Sequence, residues 1–267
     1  MSKIYLVASG KGGVGKTTVC ANLGITYAKE GYNVILIDAD IGLNNLDVTL
    51  GVEESIKYDL VDVLENRVNF NQALVEIEGI NNLRLLASSK VSVPDRVKTP
   101  MFINLIKEAS LNADVIFIDA PAGIDSGFHR AASAANEAII VTTPHVSAIK
   151  DADRAISVLS TYSLKGMGVV VNRFRKDLFN KGEILDGESI AELLRVPLYG
   201  VIPESDKLGV YSTILGYGRD RVKNAYTELK NNIIESSFNK KTMVKKGIIR
   251  RLFGWKEKSR ATLVLNA

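Results

Sequence analysis

Thiols are almost absent from this chain: among 267 residues there is one cysteine, Cys20, so no disulfide can form within it. That usage fits a reducing cytosol, and Cys20, set in an apolar helical stretch, is expected to be a small core residue. Histidine is nearly as scarce: His129 and His145 are the only two. Neither has a cysteine or acidic cluster at metal-ligand spacing, so neither is assigned to a metal. No apolar run approaches the ~20 residues of a spanning helix. The first apolar stretch, 4–8, leads into glycines rather than a small-residue cleavage site, so the chain is expected to be neither secreted nor transmembrane. Internal repeats and low-complexity linkers are also lacking.

With 46% hydrophobic and 24% charged residues, the chain can bury one substantial core. Apolar runs at 4–9, 34–38, 83–87, 115–119, 138–142, 169–172 and 198–202 read as strands. Helix-periodic stretches lie between them at 17–30, 59–65, 99–109, 147–162, 189–194 and 219–235. Strands that are apolar throughout suit a sheet covered on both faces, and the alternation predicts an α/β, doubly wound, mostly parallel sheet. In that architecture ligands bind beyond the carboxyl ends of the strands.

The loop after the first strand reads Gly10-Lys11-Gly12-Gly13-Val14-Gly15-Lys16-Thr17, followed by Thr18. It matches the phosphate-binding pattern GxxxxGK[ST] between a strand and a helix, the context the motif requires. Glycines let backbone N–H groups turn inward around phosphate oxygens, and the following helix adds its positive N-terminal end. Lys16 is expected to reach the β- and γ-phosphates of ATP, and the Thr17 hydroxyl to ligate Mg²⁺. The strand 115–119 ends in Asp119, the arrangement that holds Mg²⁺ through water. The strand 34–38 ends in Asp38, with Asp40 two residues on: one carboxylate can orient metal-bound water and the other polarise the attacking water.

Only Lys16 is demanded by the general motif, so Lys11 is a second, unexplained lysine. With Lys11 included, the loop resembles the deviant Walker A of the ParA/MinD ATPases. In that family the corresponding lysine crosses a dimer interface to the partner's phosphates, which implies an ATP-dependent homodimer. The stretches 38–47, 58–65, 121–124, 142–154, 171–173 and 202–204 resemble the branch of the family that places the bacterial division septum. That resemblance implies that Asn172 and the segment at Pro203 contact adenine, that Asp40 and Asp119 serve catalysis and metal, and that the region of Asp151 and Asp153 helps bind a MinC-like inhibitor or a MinE-like regulator. Two features depart from the pattern. His145 stands where an acid is expected after Pro144, and residues 261–267 continue past the usual end of the tail.

Charge is unevenly placed. The net charge is +4, yet residues 240–260 hold nine basic residues against Glu257, which leaves the remainder mildly acidic. The reading is a P-loop ATPase domain over 1–236 and a basic tail over 237–267. Wound as a helix, 244–256 collects Val244, Ile248, Ile249, Leu252, Phe253 and Trp255 on one half of its circumference, opposite Lys246 and Arg250. This predicts an amphipathic helix lying in an anionic membrane interface, which would place the protein peripherally at the inner face of the cell membrane. Gly247 and Gly254 weaken the helix in isolation, so it is expected to fold on the membrane.

Other functions compete. A ParA-type DNA-partitioning ATPase needs basic residues across the body, whereas this body is net acidic, so no specific nucleic acid is expected. A FlhG-like flagellar-number regulator shares both P-loop and tail but usually carries an extra segment before the first strand. An iron–sulfur carrier ATPase would need more thiolates than Cys20 offers. In a soluble metabolic P-loop enzyme the basic amphipathic tail would be idle.

Overall fold

The computed structural model describes residues 2–42, 45–90, 97–215 and 220–238. The tail helix expected over 244–256, its six apolar residues and the extension 261–267 lie outside the described residues, as do Leu43 and Asn44.

Eight strands form one sheet: β1 (Lys3–Ala8), β2 (Val34–Asp38), β3 (Leu74–Ile77), β4 (Ile80–Leu86), β5 (Val115–Asp119), β6 (Glu137–Thr142), β7 (Gly166–Phe174) and β8 (Leu198–Pro203), in the order β3-β4-β2-β5-β1-β6-β7-β8. Every pairing is parallel except β3 with β4. Strands β2 and β5 are buried at every position, which is why they read as unbroken apolar runs. Strand β3 was not anticipated. It is a four-residue edge strand folded back on β4 through Gly79 (φ 76°), too short to impose a period on the sequence.

Helices cover both faces. Helix α1 (Lys16–Lys29) and the final described helix (Arg221–Phe238) pack on one face against Tyr5, Leu36, Phe117 and Val170. The final helix is described as far as Phe238. Helices Thr99–Ala109, Ser126–Ala134, Val146–Leu159 and Gly187–Leu194 pack on the opposite face, against Leu6, Ile37, Ile118 and Ile140. Ser126–Ala134 gave no sequence signal because Phe128 is the only large apolar residue it buries, beside Arg130 and two alanines; Asp125 starts it by accepting from Gly127 and Phe128 N–H. No described helix is long and apolar enough to cross a membrane.

The α1-side core has an aromatic centre. Phe117 stacks on Tyr5 with ring centroids 5.4 Å apart and meets Tyr27 edge-on at 5.3 Å. All three rings are buried. Phe117→Ala should therefore lower unfolding free energy by about 3–5 kcal/mol, read from denaturant midpoints. A loss below 1 kcal/mol would mean that the neighbours collapse into the space.

Strand order also positions the site. β1 lies between β5 and β6, so the connections leaving β1 and β5 diverge to opposite sides of the sheet. A crevice therefore opens beyond their carboxyl ends.

Candidate functional site

The loop from Gly10 to Gly15 spans this crevice between β1 and α1. Gly15 caps α1 at φ 87°, a left-handed conformation that costs glycine little, and no side chain caps the helix. The first amides of α1 are thus left for an anion beyond the helix end. Two neighbours hold the loop closely. A Cβ on Gly10 would overlap the Asp151 carbonyl in the helix 146–159, and a Cβ on Gly15 would overlap the Asn172 amide. Asn172, buried at the end of β7, donates Nδ2 to the Val14 carbonyl at 2.9 Å.

Lys16 and Thr17 open α1, and both reach Asp119. Lys16 Nζ lies 2.7 Å from Oδ1, and Thr17 Oγ1 donates to Oδ2 at 2.7 Å. Burial alone would pull the Lys16 ammonium down, but Asp119, and then Asp38, hold it above its usual value. One strand over, Asp38 is the register partner of Asp119. Its carboxylate accepts N–H bonds from Asp40 at 3.0 Å and from Asn45 and Leu46 at 3.2 Å each. Burial and then the Asp119 charge nevertheless push Asp38 up to about 7. Asp40 is only half-buried; desolvation raises it and Lys16 partly offsets that.

A carboxyl raised from 3.8 to about 7 on folding, as Asp38 is, is protonated in the folded chain, but not in the unfolded chain, between those two values. Stability should therefore rise as pH falls through 7, the reverse of a salt-bridged carboxylate. Without nucleotide or metal, going from pH 8 to pH 6 should stabilise the parent by about 1.4 kcal/mol relative to Asp38→Asn. Urea midpoints at the two pH values measure this; equal slopes for parent and variant would show that Asp38 is ionised throughout.

Lys11 is set apart. It is exposed and donates to Ser147 Oγ at 3.3 Å, on the first turn of the helix 146–159. Nothing in the sequence pattern signalled this contact of Ser147. Beside it lies an open groove of about 310 Å³ whose charged walls are Lys11, Arg173, Arg175 and Glu204, with His145 at its edge. Asp151 is half-buried and Asp153 exposed on that same helix, and Pro203 is half-buried at the end of β8. The structure thus gathers Gly10–Thr18, Asp38, Asp40, Asp119 and Asn172 around one crevice. Lys11 stands on its outer side.

Comparison with known proteins agrees with this geometry. The family model described as "ParA: NUBPL iron-transfer P-loop NTPase" matches residues 1–216. The septum site-determining protein MinD of Thermotoga maritima is 38% identical over 261 residues, covering 93% of this chain and 95% of that one. Among solved structures, the MinC:MinD cell division complex of Aquifex aeolicus matches at 35% identity and TM-score 0.79, over 97% of this chain and 99% of that chain. MinD of Pyrococcus horikoshii, solved with Mg-ADP, matches at 27% identity and TM-score 0.77, over 92% of this chain and 99% of that chain. The chain is a P-loop ATPase of the ParA class and belongs to the MinD family of septum site-determining proteins.

Proposed function

We propose that this protein is an ATP-hydrolysing membrane switch that dimerises on ATP, binds the membrane through its basic tail and recruits a division inhibitor to position the septum. The observation that carries the reading is the contrast between the two loop lysines. Lys16 is buried on Asp119 inside the crevice, whereas Lys11 is exposed outside it. A lysine in the second position serves a phosphate chain that approaches from outside, as a second protomer's would.

Within one protomer, Lys16 and the free amides of α1 hold the phosphates of ATP. Thr17 and Asp119 hold Mg²⁺, with Asp38 behind them. Their hydroxyl and carboxylate oxygens, 2.7 Å apart, are the hard donors this ion prefers. Bound there, Mg²⁺ would supply charge neutralisation to the phosphates. Asp40, raised and half-buried, orients the attacking water and takes up its proton. Asn172 has committed its Nδ2 to Val14, so its Oδ1 remains to accept from the adenine amino group, with Pro203 beside the ring. Lys11 of each protomer adds positive charge at the other's γ-phosphate.

Partner recruitment follows from the helix 146–159. Its start at His145 and Val146 is exposed, Asp153 is exposed further along, and the Asp151 carbonyl between them packs closely on Gly10. A protein bound there sits one contact from the phosphate loop. The solved MinC:MinD complex of a relative supports a MinC-like inhibitor as that partner; a MinE-like regulator would use the same face.

The test is co-sedimentation with anionic liposomes in Mg-ATP, Mg-ADP and no nucleotide. Retention in ATP alone is the expected result. Retention that ignores nucleotide would make the protein a static anchor, and ATP-dependent retention on DNA instead would move it to the partitioning class.

A further inference from the structure

Beyond the motifs, one buried polar side chain joins the helix that follows the phosphate loop to a segment remote in sequence. Asn22 lies on α1, four residues after Thr18, and is fully buried. Its Nδ2 donates to the Thr18 carbonyl at 2.8 Å and to the Ser212 carbonyl at 3.0 Å, while its Oδ1 accepts from the Ile214 N–H at 2.6 Å. Amide oxygen and nitrogen are thus both used on main-chain groups. Ser212 and Ile214 belong to the segment that leaves β8 through Pro203 and the short helix Asp206–Tyr211. Ser212 sits at φ 60°, a strained position for a residue with a side chain, held by the contacts around it. The Tyr226 ring of the final helix is buried in the same core.

We propose that Asn22 is a positioning residue for the nucleotide base: it locks the 203–214 segment in register with the helix that carries the phosphate loop. This rests on the reading that the segment following Pro203 borders adenine. The phosphates and the base are gripped by elements about 190 residues apart in sequence that meet over a bound nucleotide only if their spacing is fixed. Asn22 is the side chain that fixes it. Ser212 and Ile214 meet Asn22 through main-chain groups, so they contribute no side-chain identity that a motif could show. An aspartate would keep the acceptor for Ile214 and lose both donated bonds. An alanine would lose all three and leave buried main-chain groups unpaired.

The experiment titrates Mg-ATP and Mg-tripolyphosphate, which lacks base and sugar, into the full chain by calorimetry. Parent, Asn22→Asp and Asn22→Ala are compared, with circular dichroism to establish the folded fraction. The parent should prefer ATP. In Asn22→Asp that preference should shrink about tenfold, through weaker ATP binding, while tripolyphosphate affinity stays within twofold; Asn22→Ala should shrink it further wherever it folds. A merely structural contribution would lower both affinities together, and that outcome, or an unchanged preference in Asn22→Asp, overturns the positioning role. A parent with no preference for ATP would instead overturn the underlying assignment of the base site, and the proposal with it.

Discussion

Lys11→Ala is expected to keep Mg-ATP binding within a few-fold of the parent while hydrolysis falls by two to three orders of magnitude and ATP-dependent liposome retention disappears. The separation follows from where the two lysines lie. Lys16, buried on Asp119, belongs to its own protomer's phosphate site, so Lys16→Ala should abolish binding itself. On the proposed reading Lys11, exposed on Ser147, would not serve the phosphates held by its own loop, and its charge would matter when a second protomer brings its own γ-phosphate to the outer side of the crevice. Removing one preorganised donor from a developing charge costs about 10²–10³ in rate, and here the same loss also removes the attraction that closes the dimer. Mixing separates these effects. Adding Lys16→Ala, which retains Lys11, to Lys11→Ala should restore part of the hydrolysis, because each protomer then supplies what the other lacks. If Lys11→Ala loses nucleotide binding as completely as Lys16→Ala, the lysine acts in cis and the trans assignment fails.

How far the fold could be read from sequence depended on how each element is stabilised. Strands such as β2 and β5 are buried along their whole length and had to be apolar, so they were legible. Strand β3, at the edge, exposes Glu76 and is held by main-chain pairing to β4, which leaves little trace in composition. The helix 126–134 buries Phe128, Arg130 and two alanines, too few apolar positions to set a helical period. In the site, Lys16 and Thr17 were legible because chemistry fixes both their type and their spacing, and Asp119 because it is an acid at the end of an apolar strand. Their mutual contacts were not, nor was the role of Asn172 in holding Val14, because those depend on loops that meet only after the sheet has formed. Ser147 lay inside the resembling stretch 142–154 but its contact with Lys11 was not encoded there, and Asn22 carried no signal: each acts through a position in space that no spacing along the chain encodes.

The basic tail should obey a doubling rule if the switch is built as proposed. One short amphipathic helix with a single face of apolar residues binds lipid only marginally, and two on one particle bind with avidity that can exceed either alone by about 10²–10⁴. Every tail substitution is then counted twice. Phe253→Ser removes about 1.5–3 kcal/mol of burial per tail. An ATP-held dimer should therefore lose roughly 3–6 kcal/mol, two to four orders of magnitude in apparent liposome affinity, while solution dimerisation is unchanged. The same substitution in an isolated peptide of residues 240–267 should cost only the square root of that factor. Joining two such peptides through a coiled coil should restore tight binding with no ATPase domain and no nucleotide. If the paired peptide binds no better than the single one, avidity is not the source of the ATP dependence. Nucleotide would then have to act by releasing the tail from the body, and the final helix, Arg221–Phe238, which leads into the tail, would be the place to look for that contact.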